Sequence, residues 1–390
     1  MTFPSSVPDD ELPDEALQPV EPAYGSGSLA DLLPSVSAVL GVPGAADVLG
    51  LRELLGDVDR VAVVLVDGLG AYQLPLMKTH APGLDRLAAR TLTSGFPSTT
   101  PVSLVTLGAG VPPGEHGVLG FTLLMPDGCV LNHIQWGDDP PPASWQPVPT
   151  RFELATAAGV RVTQVTRPEF QGTGLTVAAN RGASFVGASS HVALATGMIG
   201  ALRSGPGLVY GYHPDLDKAG HLFGVGSAEW QSAAADVGTL VDALVDGLPP
   251  RSALLVTADH GQFNVPAADR VDLSALDLPE VVAITGEPRV RYLHVKPCAA
   301  SSVASRMRSL FGDRAWVLTR AEAIGSGLFG PVAPRHADRI GDVVVVCLGR
   351  TVALATAAEP PILGRMIAYH GSVTAAEMTI PLLSFVVGSG

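Results

Sequence analysis

The sequence predicts an α/β fold with a mostly parallel central sheet, helices on both faces and a small α+β insertion. Three observations carry that expectation. Apolar runs of buried-strand length stop abruptly at an acid or a glycine, among them VAVVLV at 61–66 and SALLVT at 252–257. Helical stretches such as SAEWQSAAADVGTLVDALVDGL at 227–248 separate such runs, the alternation of a parallel sheet. The stretch 263–335 breaks that alternation and reads as an insertion.

Residues 1–25 are acidic and proline-rich and predict an extended or disordered arm. They lack the basic and apolar regions of a secretory signal, so the expected location is cytoplasmic. The core then runs over 26–262. RVAVVLVDGLG at 60–70 is a continuous apolar run closed by an acid and two glycines. Ser98, Thr99 and Thr100 crowd together before Pro101 at the expected start of a helix. VRVTQVT at 160–166 follows the helical FELATAAG, and GLVYGYHPDLD at 207–217 turns from apolar to polar. SALLVTADHG at 252–261 repeats the pattern of apolar run, acid and glycine.

Within the insertion, or cap, at 263–335, VVAITGEPRVRYLHVKP predicts a hairpin with Gly286, Glu287 and Pro288 in its turn. The helix AASSVASRMRSLFG and the strand AWVLT follow. The core resumes over 336–390 with another apolar run, DVVVVCLG at 342–349.

The chain has 390 residues, 47% of them hydrophobic and 16% charged, enough for a large core. No uninterrupted apolar run reaches the length of a membrane span. A net charge of −13 argues against binding a nucleic-acid duplex, which asks for a basic face. It leaves room for a phosphorylated substrate, since bound cations reverse a local field. Cys129, Cys298 and Cys347 lie far apart and form neither a disulfide framework nor a thiolate zinc cluster.

In parallel α/β sheets, function collects beyond the carboxyl ends of the strands. Asp67, Asp217 and the Asp259-His260 pair all fall there, with His221 four residues after Asp217 and His370 in AYHGS. Three carboxylates and three imidazoles suit zinc or a similar divalent metal, with manganese and iron as the other choices. Six ligands are too many for one tetrahedral ion and enough for two. Singly, each residue has a plainer reading. Asp67 could cap a turn, Asp217 and His221 could be an i,i+4 helix pair, and the three hydroxyls could cap a helix. Together, the plain readings leave the gathering of acids at one sheet edge to chance. His116, after a Pro-Pro-Gly turn, is expected to be structural.

This set of motifs resembles the alkaline phosphatase superfamily, and within it the type I phosphodiesterase/nucleotide pyrophosphatase family. VVLVDGLG, FPSTTPVSLVTLGAGVPPGEHG, YHPDLDKAGH, VTADHG and AYHGS carry the resemblance, in order, from about residue 60 to the C-terminus. It implies an alkaline-phosphatase-like fold with two divalent metals. Asp67, Asp259 and His260, with Thr100, would hold the nucleophile-side metal, and Asp217, His221 and His370 the second. Counting back from Glu115-His116-Gly117 places the nucleophile on Thr100, with Thr99 and then Ser98 as rivals. Asn132 is the candidate to hold a phosphate oxygen.

The resemblance implies hydrolysis of phosphodiester or phosphoanhydride bonds in small substrates, nucleotides included, through a phosphothreonine-type intermediate. No basic residue matches the superfamily's monoesterase pattern clearly, which favours diesters; Arg167 comes nearest. The alternatives are a phosphonate hydrolase resembling phosphonoacetate hydrolase, a phosphomonoesterase, and a non-catalytic ligand-binding domain. Specificity is expected from the cap, the segment 121–149, and Trp136, Trp145 and Phe170.

Overall fold

The computed structural model describes residues 8, 10 and 12–388. Its centre is a seven-stranded sheet in the order 88–93, 379–387, 252–257, 60–66, 207–213, 162–166, 184–187. The five strands from 252–257 to 184–187 run parallel. Every residue of Val61–Val66 and Ser252–Thr257 is buried, as a strand covered on both faces requires. The strand Thr379–Val387 runs antiparallel to both neighbours.

That inversion positions the site. The parallel strands deliver Asp67, Asp217 and Asp259 from their carboxyl ends. The strand 88–93 runs the same way and feeds the Thr100 helix from its own carboxyl end. The antiparallel strand has its amino end there, so the loop before it brings His370 to the same edge.

Helices cover the sheet. Ala228–Gly247, capped by the Ser227 hydroxyl accepting the Trp230 N–H, buries Trp230, Val237, Leu240, Val241 and Leu244. No helix of the described residues is long and apolar enough to cross a membrane.

A second, four-stranded antiparallel sheet has the order 281–287, 290–295, 343–347, 315–319. The hairpin turns at Pro288 and Arg289, so Glu287 ends the first strand rather than sitting in the turn. One face packs on the helix Ala300–Phe311 through Val303, Met307 and Phe311. The other holds Val290, Tyr292, Val344 and Val346 against Phe96 and Leu119. The run at 343–347 therefore belongs to this sheet, which extends past residue 335.

Of the expected N-terminal arm, residues 1–7, 9 and 11 lie outside the described residues. The remainder is docked. Ala16 is buried beside Phe263, the Val20 N–H donates to the Val373 carbonyl, and Asp10 pairs with Arg350.

His133, fully buried in the 121–149 segment, accepts the Trp145 indole N–H on Nε2 at 3.2 Å and donates Nδ1–H to the Phe121 carbonyl. Burial pushes its pKa down to about 4. Between the ordinary value near 6.5 and about 4, the unfolded chain takes up a proton that the folded ring refuses. Stability is therefore expected to fall with pH across that window, by on the order of 2 kcal/mol from this ring. In urea unfolding at pH 7.5 and 4.5, His133→Gln should shrink the difference between the two pH values by that amount. An unchanged difference would refute it.

Candidate active site

Asp67 and Asp259 end adjacent parallel strands. Asp67 is followed by Gly68 at φ +74°, where a Cβ would meet Gln262 and the Asp217 backbone within 3.0 Å. Glycine there lets the helix bearing Asp217 approach the strand end. The Asp217 N–H donates to the Asp67 carbonyl at 3.1 Å. Asp259 Oδ1 accepts the Gly68 N–H at 3.1 Å and the His260 N–H at 3.0 Å. Among the described residues its Oδ2 has no hydrogen-bond partner, and neither does Asp217 Oδ1. The Tyr212 hydroxyl donates to Asp67 Oδ2.

The imidazoles fix the character of the site. His221 Nδ1 lies 2.8 Å from the Ala368 carbonyl, His260 Nδ1 3.2 Å from that of Gly261, and His370 Nδ1 2.9 Å from that of Ser98. A carbonyl only accepts, so each ring carries its proton on Nδ1 and turns a bare Nε2 into the cluster. His260 Nε2 is 3.2 Å from Asp259 Oδ2 and 3.5 Å from Asp67 Oδ1. His221 Nε2 is 3.2 Å from Asp217 Oδ2 and 3.2 Å from His370 Nε2. His370 stacks on His260 with ring centroids 3.5 Å apart.

Two compact donor groups result: Asp67, Asp259 and His260, and Asp217, His260 and His370, with His221 beside the second. All six acids and histidines that the sequence assigned to metals are brought together. Three buried carboxylates, inward-facing lone pairs and orphaned oxygens form a donor set that fits divalent cations. Burial, with Asp259 and Asp217 alongside, pushes Asp67 well above the carboxylate range. Burial pushes His370 down to about 3.

Thr100 opens the helix Thr100–Ala109. Its Oγ1 lies 3.1 Å from His260 Nε2 and 3.5 Å from Asp67 Oδ1. Among the described residues no hydroxyl caps this helix: Thr99 occupies the cap position without a side-chain capping bond, and Ser98 Oγ donates to the Ser372 carbonyl at 2.6 Å.

Other residues sort differently. Asn132 Oδ1 accepts the Ile134 and Gln135 N–H groups, capping a short turn, while the residue lines a neighbouring cavity. Arg167 lines the other cavity but pairs with Asp215. Phe170 lines it too, whereas Trp136 donates to the Pro140 carbonyl and Trp145 lies under Arg339, both away from the two cavity walls. His116 is structural in its contacts: Nε2 meets Thr106 Oγ1 at 3.0 Å and Nδ1 accepts the Val118 N–H.

Two cavities flank the cluster and share Phe121, His221, Met366 and His370. One, of about 360 Å³, is lined by Thr100, Gln164, Arg167, Tyr212 and Lys218. The other, of about 740 Å³, opens beneath the second sheet beside Thr99, Asn132 and Glu287. Sequence reasoning missed Lys218, Tyr212 and Glu287. Lys218 lies inside the DLDKAGH motif, a signal that was available.

No curated protein matches the chain. Among solved structures, murine ectonucleotide pyrophosphatase/phosphodiesterase 5 superposes with a TM-score of 0.67 at 17% identity, covering 84% of this chain and 88% of its own. An inactive form of that protein in complex with AMP matches equally well. Phosphonoacetate hydrolase from Sinorhizobium meliloti 1021 in complex with phosphonoacetate gives a TM-score of 0.63 at 22% identity, covering 85% and 90%. These likenesses give the chain the alkaline-phosphatase-like fold. The family model for type I phosphodiesterase/nucleotide pyrophosphatase matches residues 61–372, and the chain belongs to that family.

Proposed function

We propose that the chain is a two-metal phosphodiesterase in which Thr100 attacks phosphorus and water then hydrolyses the resulting phosphothreonine-type intermediate, whose phosphorus still carries the second organic arm. The observation that supports it most is the convergence of three bare Nε2 atoms and three carboxylates on one edge, with Thr100 Oγ1 beside it. Asp67, Asp259, His260 and Thr100 would hold one cation, and Asp217, His221 and His370 the other. Divalent cations there supply Lewis acidity that makes the hydroxyl a nucleophile at neutral pH and offsets the charge of the phosphate.

The chain's own residues do the rest. The Thr100 oxygen bonds to phosphorus as the bond to the leaving oxygen breaks; the hydroxyl proton is released and the leaving oxygen is protonated. Water then cleaves the phosphothreonine bond and restores the hydroxyl. The Thr100 and Val102 N–H groups have no protein partner among the described residues, Pro101 has none to give, and the Ser103 N–H goes to the Thr99 carbonyl. A helix start with free N–H groups favours a bound phosphate.

A cavity on each side of the cluster supports a phosphorus carrying two organic arms. Lys218 and Arg167 in the smaller cavity keep one second reading open, a phosphonate substrate with its own carboxylate. The test is the zinc- or manganese-loaded protein against bis-p-nitrophenyl phosphate, p-nitrophenyl phosphate and phosphonoacetate. Preferential turnover of the diester is expected; turnover of phosphonoacetate alone would overturn the diester reading. Metal analysis should find two equivalents. Removing them with a chelator should abolish turnover and lower the melting temperature, because Asp67, Asp217 and Asp259 lose their counter-charge. Full activity in verified metal-free protein would refute the proposal.

A further inference from the structure

We propose that the larger cavity is a subsite for a substrate arm bearing a primary ammonium group, with Glu287 as the residue that selects it. This rests on the diesterase reading and adds the chemical class of one arm. Glu287 lines the cavity at the end of the strand Val281–Glu287. It is 5% exposed, and among the described residues neither carboxyl oxygen is in a well-formed hydrogen bond, although the Thr99 hydroxyl and the Phe121 backbone lie near. A buried carboxyl left so is costly unless something else partners it.

Its surroundings say what is missing. Burial pushes the pKa up to about 8, and the Thr99 hydroxyl, the Arg291 charge and the Phe121 backbone recover only part of that. Arg291 is committed to Glu359 through Nη1 and Nη2, and Arg289 to Glu377. Among the described residues the cavity wall carries Glu287, Glu359, His221 and His370 but no lysine or arginine, so these side chains offer an anionic arm no counter-charge. Its remaining wall is largely apolar, with Val282, Ile284, Ile362 and Tyr369. Two acceptor oxygens in an apolar wall call for an N–H donor carrying positive charge. A quaternary ammonium has the charge but no hydrogen to give. The carboxyl lies close to reacting groups: a Cβ on Gly371, next to His370, would sit 2.9 Å from Glu287 Cγ, and Thr99 precedes Thr100.

The experiment compares phosphoethanolamine with its uncharged carbon isostere, propyl phosphate, as competitive inhibitors of bis-p-nitrophenyl phosphate hydrolysis. Calorimetric binding to the zinc-loaded protein runs alongside. Phosphoethanolamine should bind about tenfold tighter, the size of one charge-assisted hydrogen bond. Glu287→Gln should bring the ratio to about one, and phosphocholine should behave like propyl phosphate. Equal affinities in the unaltered protein, or a ratio that survives Glu287→Gln, would overturn the proposal. Glycerophosphoethanolamine in solution and vesicles of an ethanolamine phospholipid separate the sources. Hydrolysis of the first alone assigns a free diester, and of the second a lipid headgroup. Hydrolysis of neither, while bis-p-nitrophenyl phosphate is cleaved, refutes the subsite and spares the diesterase reading. If no diester is cleaved, that reading fails, and calorimetry still decides the subsite.

Discussion

Thr100→Ala is expected to lower bis-p-nitrophenyl phosphate turnover at least about 10⁴-fold while both metals stay bound. That loss corresponds to about 5 kcal/mol of transition-state stabilisation. It follows from placement. Thr100 Oγ1 is the hydroxyl 3.1 Å from His260 Nε2, while Ser98 Oγ is spent on the Ser372 carbonyl. The buried carboxylates and imidazoles can hold cations without the threonine, so chemistry and metal content should separate. Thr99→Ala should cost tenfold or less. Thr100→Ser keeps an oxygen at the position and should recover part of the rate. Acid quenching during turnover of a ³²P-labelled diester should trap label on the protein, and none on Thr100→Ala. A Thr100→Ala protein within tenfold of the unaltered rate would remove the nucleophile from the mechanism.

The sequence revealed the acids because of where they stand. An apolar run buried on both faces must end where the chain leaves the sheet, so the acids of VVLVDG and VTADHG announce themselves as edge residues. The same logic could not assign DVVVVCLG. A strand covered on both sides has the same composition in a parallel or an antiparallel sheet, and partner choice is decided by contacts far off in the chain. Val343–Cys347 pairs with Val290–Val295 and Ala315–Thr319. The reversal of Thr379–Val387 was hidden for the same reason, although it alone explains how a residue near the C-terminus reaches Asp217.

Glu287 was hidden more deeply. GEPRV reads as turn chemistry, with glycine and proline around an acid. Its significance lies in closure: the turn slips to Pro288 and Arg289, and the second sheet then packs Glu287 against Gly371 and Thr99. Asn132 shows the opposite case. It was legible as a polar residue near the site; the short turn after it takes its carbonyl oxygen, and only its amide N–H groups could donate to a phosphate oxygen.

Glu377→Ala is expected to destabilise the protein by about 3–5 kcal/mol and to weaken the second metal site about tenfold to a hundredfold. Glu377 and Arg289 are fully buried and bidentate, with Nε–Oε1 at 2.9 Å and Nη2–Oε2 at 2.7 Å. Arg289 donates onward to the Thr351 carbonyl and lies 4.9 Å over the Phe263 ring. The carboxylate also accepts the Ser372 N–H at 2.9 Å and the Thr374 N–H at 3.3 Å. Truncating it leaves an arginine charge without its partner in the interior, a larger cost than the pair's net worth. It also frees the segment after His370, whose Gly371 carbonyl accepts the Ser98 N–H. Urea unfolding measures the first effect, and zinc titration against a competing chelator the second. Arg289→Met with Glu377→Leu should recover most of the stability, since it removes both charges and keeps the volume. It should not recover the zinc affinity, because leucine cannot accept the Ser372 N–H. A double variant that restores both would mean that Glu377 acts on the core alone and leaves His370 to be held by other contacts.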